Sequence, residues 1–174
     1  MKKVLSIIIL IVAGLLAYKF FLKPPTFDAG ESAPVISGTL IDGSEFSLED
    51  LRGSYVLLDF WGSWCGPCRR EFPMLKSLYA DYHGKAFKNA DNFHIVSIAL
   101  EKSDAQTKKI ISSQQLDWPH HIIDVNPIIM ISRYAQQYDV KDLPTKFLIN
   151  PDGKFMGTNL TEQELRRILD TRLN

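Results

Sequence analysis

Residues Tyr55–Trp61 read Tyr-Val-Leu-Leu-Asp-Phe-Trp and are apolar at every position but Asp59. A short unbroken apolar run lacks the alternation of a half-exposed strand. It predicts a strand buried on both faces of a parallel or mixed sheet. Such a strand needs cover on two sides, which points to a layered α/β architecture. A helical pattern follows from Gly66, with Pro67 tolerated in its first turn. The chain has two cysteines, and both lie at this turn from buried strand into helix, as Cys65-Gly66-Pro67-Cys68.

The remaining pattern extends the same architecture. Thr39–Ile41 and Glu45–Ser47 flank Asp42-Gly43-Ser44, a hairpin signal. The helix from Gly66 runs to Tyr82, with a kink expected at Pro73. Phe93–Leu100 predicts a second buried strand. Ser103 and Gln106 have capping-box spacing for a helix reaching Gln115. His121–Asp124 predicts a short strand, and Asn126-Pro127 the start of a helix ending near Gln137. Thr145–Asn150 and Lys154–Gly157 form a second hairpin around Pro151-Asp152-Gly153. Thr161 and Glu164 cap a last helix to Arg172. This alternation predicts a sheet covered by helices on both faces.

Charge divides the chain in two. Lysine and arginine total 20, as do aspartate and glutamate, which argues against a basic nucleic-acid-binding surface. Residues 1–23 hold four of the lysines and no acid, which leaves 16 basic and 20 acidic side chains in 24–174. Val4–Tyr18 is apolar, Lys19 interrupts, and Phe20–Leu22 resume the run. A spanning helix needs about 20 mostly apolar residues, and Lys19 can snorkel to the headgroups. Residues 1–23 therefore read as a membrane anchor, 24–32 as a Pro-Pro and Gly-containing linker, and 33–174 as one folded domain. No cysteine follows the run, which excludes a lipoprotein anchor. The rival reading is a cleaved signal peptide and a secreted domain. Cleavage is disfavoured because no small-x-small pattern closely follows the run. The short basic start favours export. The expectation is a single-pass protein of the cytoplasmic (inner) membrane with its domain on the periplasmic side.

The cysteine pair carries the chemistry. Two sulfurs three residues apart in a first helical turn can close a small disulfide ring. The helix start offers free N–H groups and positive potential, which stabilise a thiolate. Cys65, expected to be the more exposed, reads as the nucleophile and Cys68 as the resolving thiol. Buried structural thiols and half a zinc site are the competing readings. Zinc needs about four ligands, and a second cysteine pair does not exist.

Val56–Cys68 resembles the active-site stretch of thioredoxins. The wider chain resembles the TlpA/ResA group of membrane-anchored thiol–disulfide oxidoreductases. The matching pieces are Ala33-Pro34, Leu51-Arg52-Gly53, Cys68-Arg69-Arg70-Glu71-Phe72-Pro73, Tyr138-Asp139-Val140 and Leu143–Gly153. The resemblance implies a thioredoxin fold: a central mixed sheet flanked by helices, with an extra N-terminal β-hairpin, here preceded by one transmembrane helix. It implies a protein-disulfide reductase without cofactor or metal. Its clients would be disulfides of exported proteins, apocytochrome c among them, and its electron donor a membrane thiol reductant.

Asp59 lies mid-strand, where aspartate is disfavoured. Burial would raise its pKa and suit it to general acid/base work for Cys68. It aligns with the buried aspartate of thioredoxins, whereas the TlpA/ResA group often carries other residues there. The competing reading is an exposed acid on an edge strand. Glu71, three residues after Cys68, matches an acidic residue of the ResA-like pattern that tunes the cysteines, or is an ordinary acid of the helix start. Leu143-Pro144 would ordinarily be trans; the resemblance implies a cis bond opposite the cysteines. Trp64, Gly66, Pro67, Leu143 and Pro144 form the expected client-binding set, with strand-like pairing beside Pro144. Trp61 reads as packing, Arg69 and Arg70 as a solvated face, and the four histidines as structural.

Three rivals remain on the sequence. An oxidase or isomerase would share the scaffold, whose potentials run from about −270 mV for thioredoxin to about −120 mV for DsbA. The Gly-Pro dipeptide favours the reducing end. A thiol peroxidase would carry proline and threonine where Leu58 and Gly62 stand. A copper-delivery protein would usually space its cysteines by three residues.

Overall fold

The computed structural model describes residues 2–17, 27–126, 128 and 131–174. Helix α1 (Lys2–Ala17) is followed by a two-stranded hairpin, β1 (Ser37–Thr39) and β2 (Glu45–Ser47). Then come β3 (Tyr55–Trp61), α2 (Gly66–Tyr82), β4 (Phe93–Glu101), α3 (Asp104–Ser113) and β5 (His120–Val125). The chain closes with α4 (Arg133–Gln137), β6 (Thr145–Ile149), β7 (Phe155–Thr158) and α5 (Glu162–Asp170).

β3 lies at the centre of a mixed five-stranded sheet of order β5-β4-β3-β6-β7. It runs parallel to β4 and antiparallel to β6, and all seven of its residues are buried. Alternate β3 side chains enter two cores. Tyr55, Leu57 and Trp61 pack with Phe72, Leu75 and Leu78 of α2 and with Leu165 and Leu169 of α5. Val56, Leu58 and Phe60 pack with the N-terminal hairpin and with Tyr134 and Ala135 of α4. The sheet is therefore covered on both faces, as its unbroken apolar strand requires.

Two predicted helix starts differ. The helix expected from Asn126-Pro127 forms only at Arg133, where the Ser132 hydroxyl accepts the Ala135 N–H at 3.1 Å. Pro127 itself lies outside the described residues. At α3 the predicted Ser103–Gln106 box does not form, and Asp104 instead pairs with Lys108 at 2.8 Å. At α5 the box does form: Glu164 accepts the Thr161 N–H at 2.8 Å. An ionised glutamate is the stronger acceptor of the two. Helix α2 continues through Pro73.

No helix among the described residues is long and apolar enough to cross a membrane. α1 has 16 residues, about 24 Å at 1.5 Å per residue, against a bilayer core of about 30 Å. Residues 18–22 of the expected span and 24–26 of the expected linker lie outside the described residues. The rest of that linker is docked. Phe27 stacks on Phe155 at 4.4 Å, and the Gly30 N–H donates to the Phe155 carbonyl at 2.9 Å. Phe155 N–H donates to Glu31 O, and Ala33 N–H to Gly153 O, each at 2.9 Å. At the other side of the sheet the Ile41 N–H donates to the His121 carbonyl at 3.0 Å.

Candidate active site

β3 ends at Trp61, and Gly62-Ser63-Trp64 leads directly into α2. The loop is held by groups from the end of β4. Ser63 donates its N–H and its hydroxyl to the buried Glu101 carboxylate, the hydroxyl at 2.9 Å. Trp64 donates its indole N–H to the Leu100 carbonyl at 3.0 Å. A Cβ on Gly62 would lie 2.8 Å from that indole nitrogen, so a side chain there would displace the ring. The rest of Trp64 stays 57% exposed, while Trp61 is buried and packs edge-on against Phe72.

Cys65 and Cys68 form a disulfide, with Cα atoms 5.4 Å apart. Cys65 is the N-cap of α2, and its sulfur accepts the Cys68 N–H at 3.2 Å. The first turn of α2 holds no acid, so the helix start keeps its positive potential. In the dithiol form the same N–H faces a Cys65 thiolate and favours it. The expected difference in exposure is small in this oxidised state: Cys65 is 4% exposed and Cys68 2%. The bond draws both sulfurs into the core beneath α2. Trp64, Gly66 and Pro67 supply the exposed surface around them.

The Leu143–Pro144 bond is cis, as the resemblance implied. Thr145 pairs with Phe60, so Pro144 lies level with the end of β3, where the cysteine loop begins. Leu143 packs against both cores.

Asp59 is buried on the central strand, not on an edge. Its side chain shares the α2-facing side of β3 with Leu57 and Trp61, the side on which Cys68 packs. Burial pushes its carboxyl up from 3.8 to about 7; the Lys146 charge opposes this, the Glu71 charge adds to it, and a Ser97 hydrogen bond opposes it. Glu71 binds the buried Lys146 ammonium at 2.5 Å and is itself 32% exposed. It is therefore an ion-pair partner of the sheet rather than a lone acid at the helix start.

Sequence reasoning did not single out Lys146, Glu101 or Ser63. A lysine in an apolar strand and an acid ending another were the available signals. The histidines lie elsewhere. His83, His94 and His120 meet edge to face in sequence near the start of β4, with ring centres 5.4 and 5.3 Å apart. The cysteine loop is tied to the opposite end of that strand. Among the described residues, no group of three or more His, Cys, Asp or Glu is placed to hold a metal.

The geometry supports reversible two-electron exchange with a disulfide, beside a carboxyl poised to take or give a proton. Comparisons with known proteins agree. A family model described as thioredoxin-like matches residues 53–155. The chain is similar to the thiol–disulfide oxidoreductase ResA of Bacillus thuringiensis (strain Al Hakam), 32% identical over 90% of this chain and 86% of that one. It is 33% identical to ResA of Bacillus subtilis over 77% and 68% of the two chains. Its fold is similar to the thioredoxin domain of a thiol–disulfide oxidoreductase from Bacteroides vulgatus. That match has a TM-score of 0.73 at 26% identity and covers 86% of this chain and all of that one.

Proposed function

Because the chain belongs to the thioredoxin-like family and, like its ResA relatives, is a thiol–disulfide oxidoreductase, we propose that it works in the reducing direction on disulfides of exported proteins. The Cys65–Cys68 pair capping α2, with the Cys68 N–H on the Cys65 sulfur, carries the exchange chemistry, and the Gly66-Pro67 dipeptide between the cysteines favours the reducing direction.

In the dithiol state the Cys65 thiolate attacks one sulfur of a client disulfide. That bond breaks, a mixed disulfide forms, and the other client sulfur leaves and takes a proton from water. Cys68 gives its proton to the Asp59 carboxylate and attacks the Cys65 sulfur. The Cys65–Cys68 bond closes, and the second client thiolate leaves and is protonated by water. The client gains two electrons and the cysteine pair loses two. A membrane thiol reductant returns the pair to the dithiol. Trp64, Gly66, Pro67, Leu143 and Pro144 supply the surface on which the client lies, with backbone pairing beside Pro144.

Residues 1–23 anchor the domain to the cytoplasmic membrane, with the domain on its outer side. In support, side chains from Val4 to Leu16 are exposed all round α1, a pattern that needs an apolar surrounding. Residues 24–26 connect this anchor to the docked segment.

The test is a Cys68→Ser variant expressed in the cell. It should accumulate a client as a mixed disulfide on Cys65, absent from the Cys65→Ser variant. The reduction potential then fixes direction. A value near about −270 mV supports reduction, and one near about −120 mV refutes it.

A further inference from the structure

A row of polar side chains crosses the sheet beneath α2. Asp59 on β3 is in register with Ser97 on β4 and Lys146 on β6, and Ser97 with His121 on β5. All four are buried. Ser97 accepts the Trp118 indole N–H at 3.0 Å and donates to Asp59. A lysine buried in a fully buried strand carries a desolvation cost that only well-placed opposite charge offsets. Lys146 has two such charges. Glu71 lies at 2.5 Å, from the α2 turn that follows Cys68. Asp59 stands directly across the strand pair, where Cβ atoms are about 5 Å apart. One buried lysine is thus in register with a sealed carboxyl on the face of β3 where Cys68 packs, and it pairs with a carboxyl that reaches water.

We propose that Lys146 is a positioning residue for disulfide exchange: its one ammonium couples the charge of Asp59 to that of Glu71, so that this pair sets how readily Asp59 takes the Cys68 proton. The inference rests on Asp59 as base for Cys68 and deepens that reading. The Asp59 carboxylate takes the Cys68 thiol proton and becomes a carboxylic acid. The Lys146 charge favours the ionised carboxyl before the transfer, and the Glu71 charge opposes it. When the pair is reduced again, Asp59 returns the proton to Cys68. No electron moves in the proton transfer, and Asp59 is the only acceptor required.

The other groups around Asp59 do not compete for this role. Ser97 holds one side of the carboxyl by a hydrogen bond, and the Trp118 indole N–H in turn holds the Ser97 hydroxyl. His121 is kept neutral by burial, with its Nε2 on the Leu116 carbonyl. Glu101, further along β4, is occupied by Ser63. Arg69 and Arg70 on α2 are exposed. Removing Lys146 takes away the charge that favours ionised Asp59, and removing Glu71 takes away the charge that opposes it. The two substitutions must therefore move Asp59 in opposite directions.

The experiment is a carbon-13 carboxyl NMR titration of Asp59 in the full oxidised chain in detergent micelles. It compares wild type, Lys146→Met, Lys146→Arg and Glu71→Gln. Lys146→Met should raise the Asp59 midpoint by about one pH unit or more, Glu71→Gln should lower it, and Lys146→Arg should leave it near wild type. The pH profile of Cys68 attack on a mixed disulfide should move with it. Should Lys146→Met fail to fold, Glu71→Gln alone decides, since Glu71 is partly exposed. An Asp59 midpoint unmoved by Glu71→Gln, or by a folded Lys146→Met, overturns the coupling. The base reading fails separately, if Asp59→Asn leaves the pH profile unchanged.

Discussion

Asp59→Asn should make the oxidised protein more stable, and only above acidic pH. The Asp59 carboxyl moves from 3.8 to about 7 on folding, chiefly through burial. A group whose pKa rises on folding binds its proton more tightly in the folded state. Its favourable contribution is full below about pH 4 and is lost as pH rises towards about 7. Three units at about 1.36 kcal/mol each amount to about 4 kcal/mol of lost stability at pH 8.5. Asparagine keeps the shape and cannot ionise, so it escapes this loss. Urea unfolding of the two oxidised proteins should give equal stabilities at about pH 4 and a gap of about 4 kcal/mol, in favour of the asparagine variant, at about pH 8.5. A gap of the same size at both pH values would show that shape or packing is responsible and would refute the argument. So would a wild type that is the more stable at the alkaline pH. The carboxylate that suits the proposed proton transfer is thus also a measurable burden on the fold.

Other perturbations test neighbouring parts of the structure. Burial pushes His121 and His94 down from 6.5 to about 4, so the unfolded chain binds their protons first and stability falls between about pH 6.5 and 4. His121→Leu should remove about 3 kcal/mol of that decline in urea melts; an unchanged slope would place the decline elsewhere. Glu101→Ala strands the Ser63 N–H and hydroxyl in the interior and should cost about 2–3 kcal/mol, read as a lower melting temperature. Trp64→Ala removes a mostly exposed ring and should shift stability by no more than about 1 kcal/mol, while slowing client reduction several-fold. An unchanged rate would exclude Trp64 from the client surface.

What the sequence disclosed follows the range of the forces involved. β3 and α2 begin and end where the apolar run and the helical pattern place them, because a buried strand and a proline in a helix's first turn are local constraints. The α5 cap formed from residues three apart, Thr161 and Glu164. The matching spacing at Ser103 and Gln106 did not, because an amide is a weaker acceptor than a carboxylate. The start of α4 was misplaced because an Asn-Pro pair and a serine several residues later offer similar signals. Lys146 and Glu101 escaped notice for a different reason. Their partners lie 75 residues away on α2 and 38 residues away in the cysteine loop. A buried charge is intelligible only once the fold has brought its counterpart to it.

The docked segment before β1 has a consequence for where the molecule can be cut. Strands β5 and β7 are the two outer strands of the sheet, and unpaired outer strands are templates for another chain. Residues 30–33 occupy the backbone groups of β7 and its turn, and Leu40 and Ile41 bridge to β5. A chain trimmed to residues 53–174 would keep both cysteines, the cis proline and all five strands of the sheet yet lose both covers. Its open strands would invite aggregation. Residues that perform no chemistry therefore guard the solubility of the domain that does.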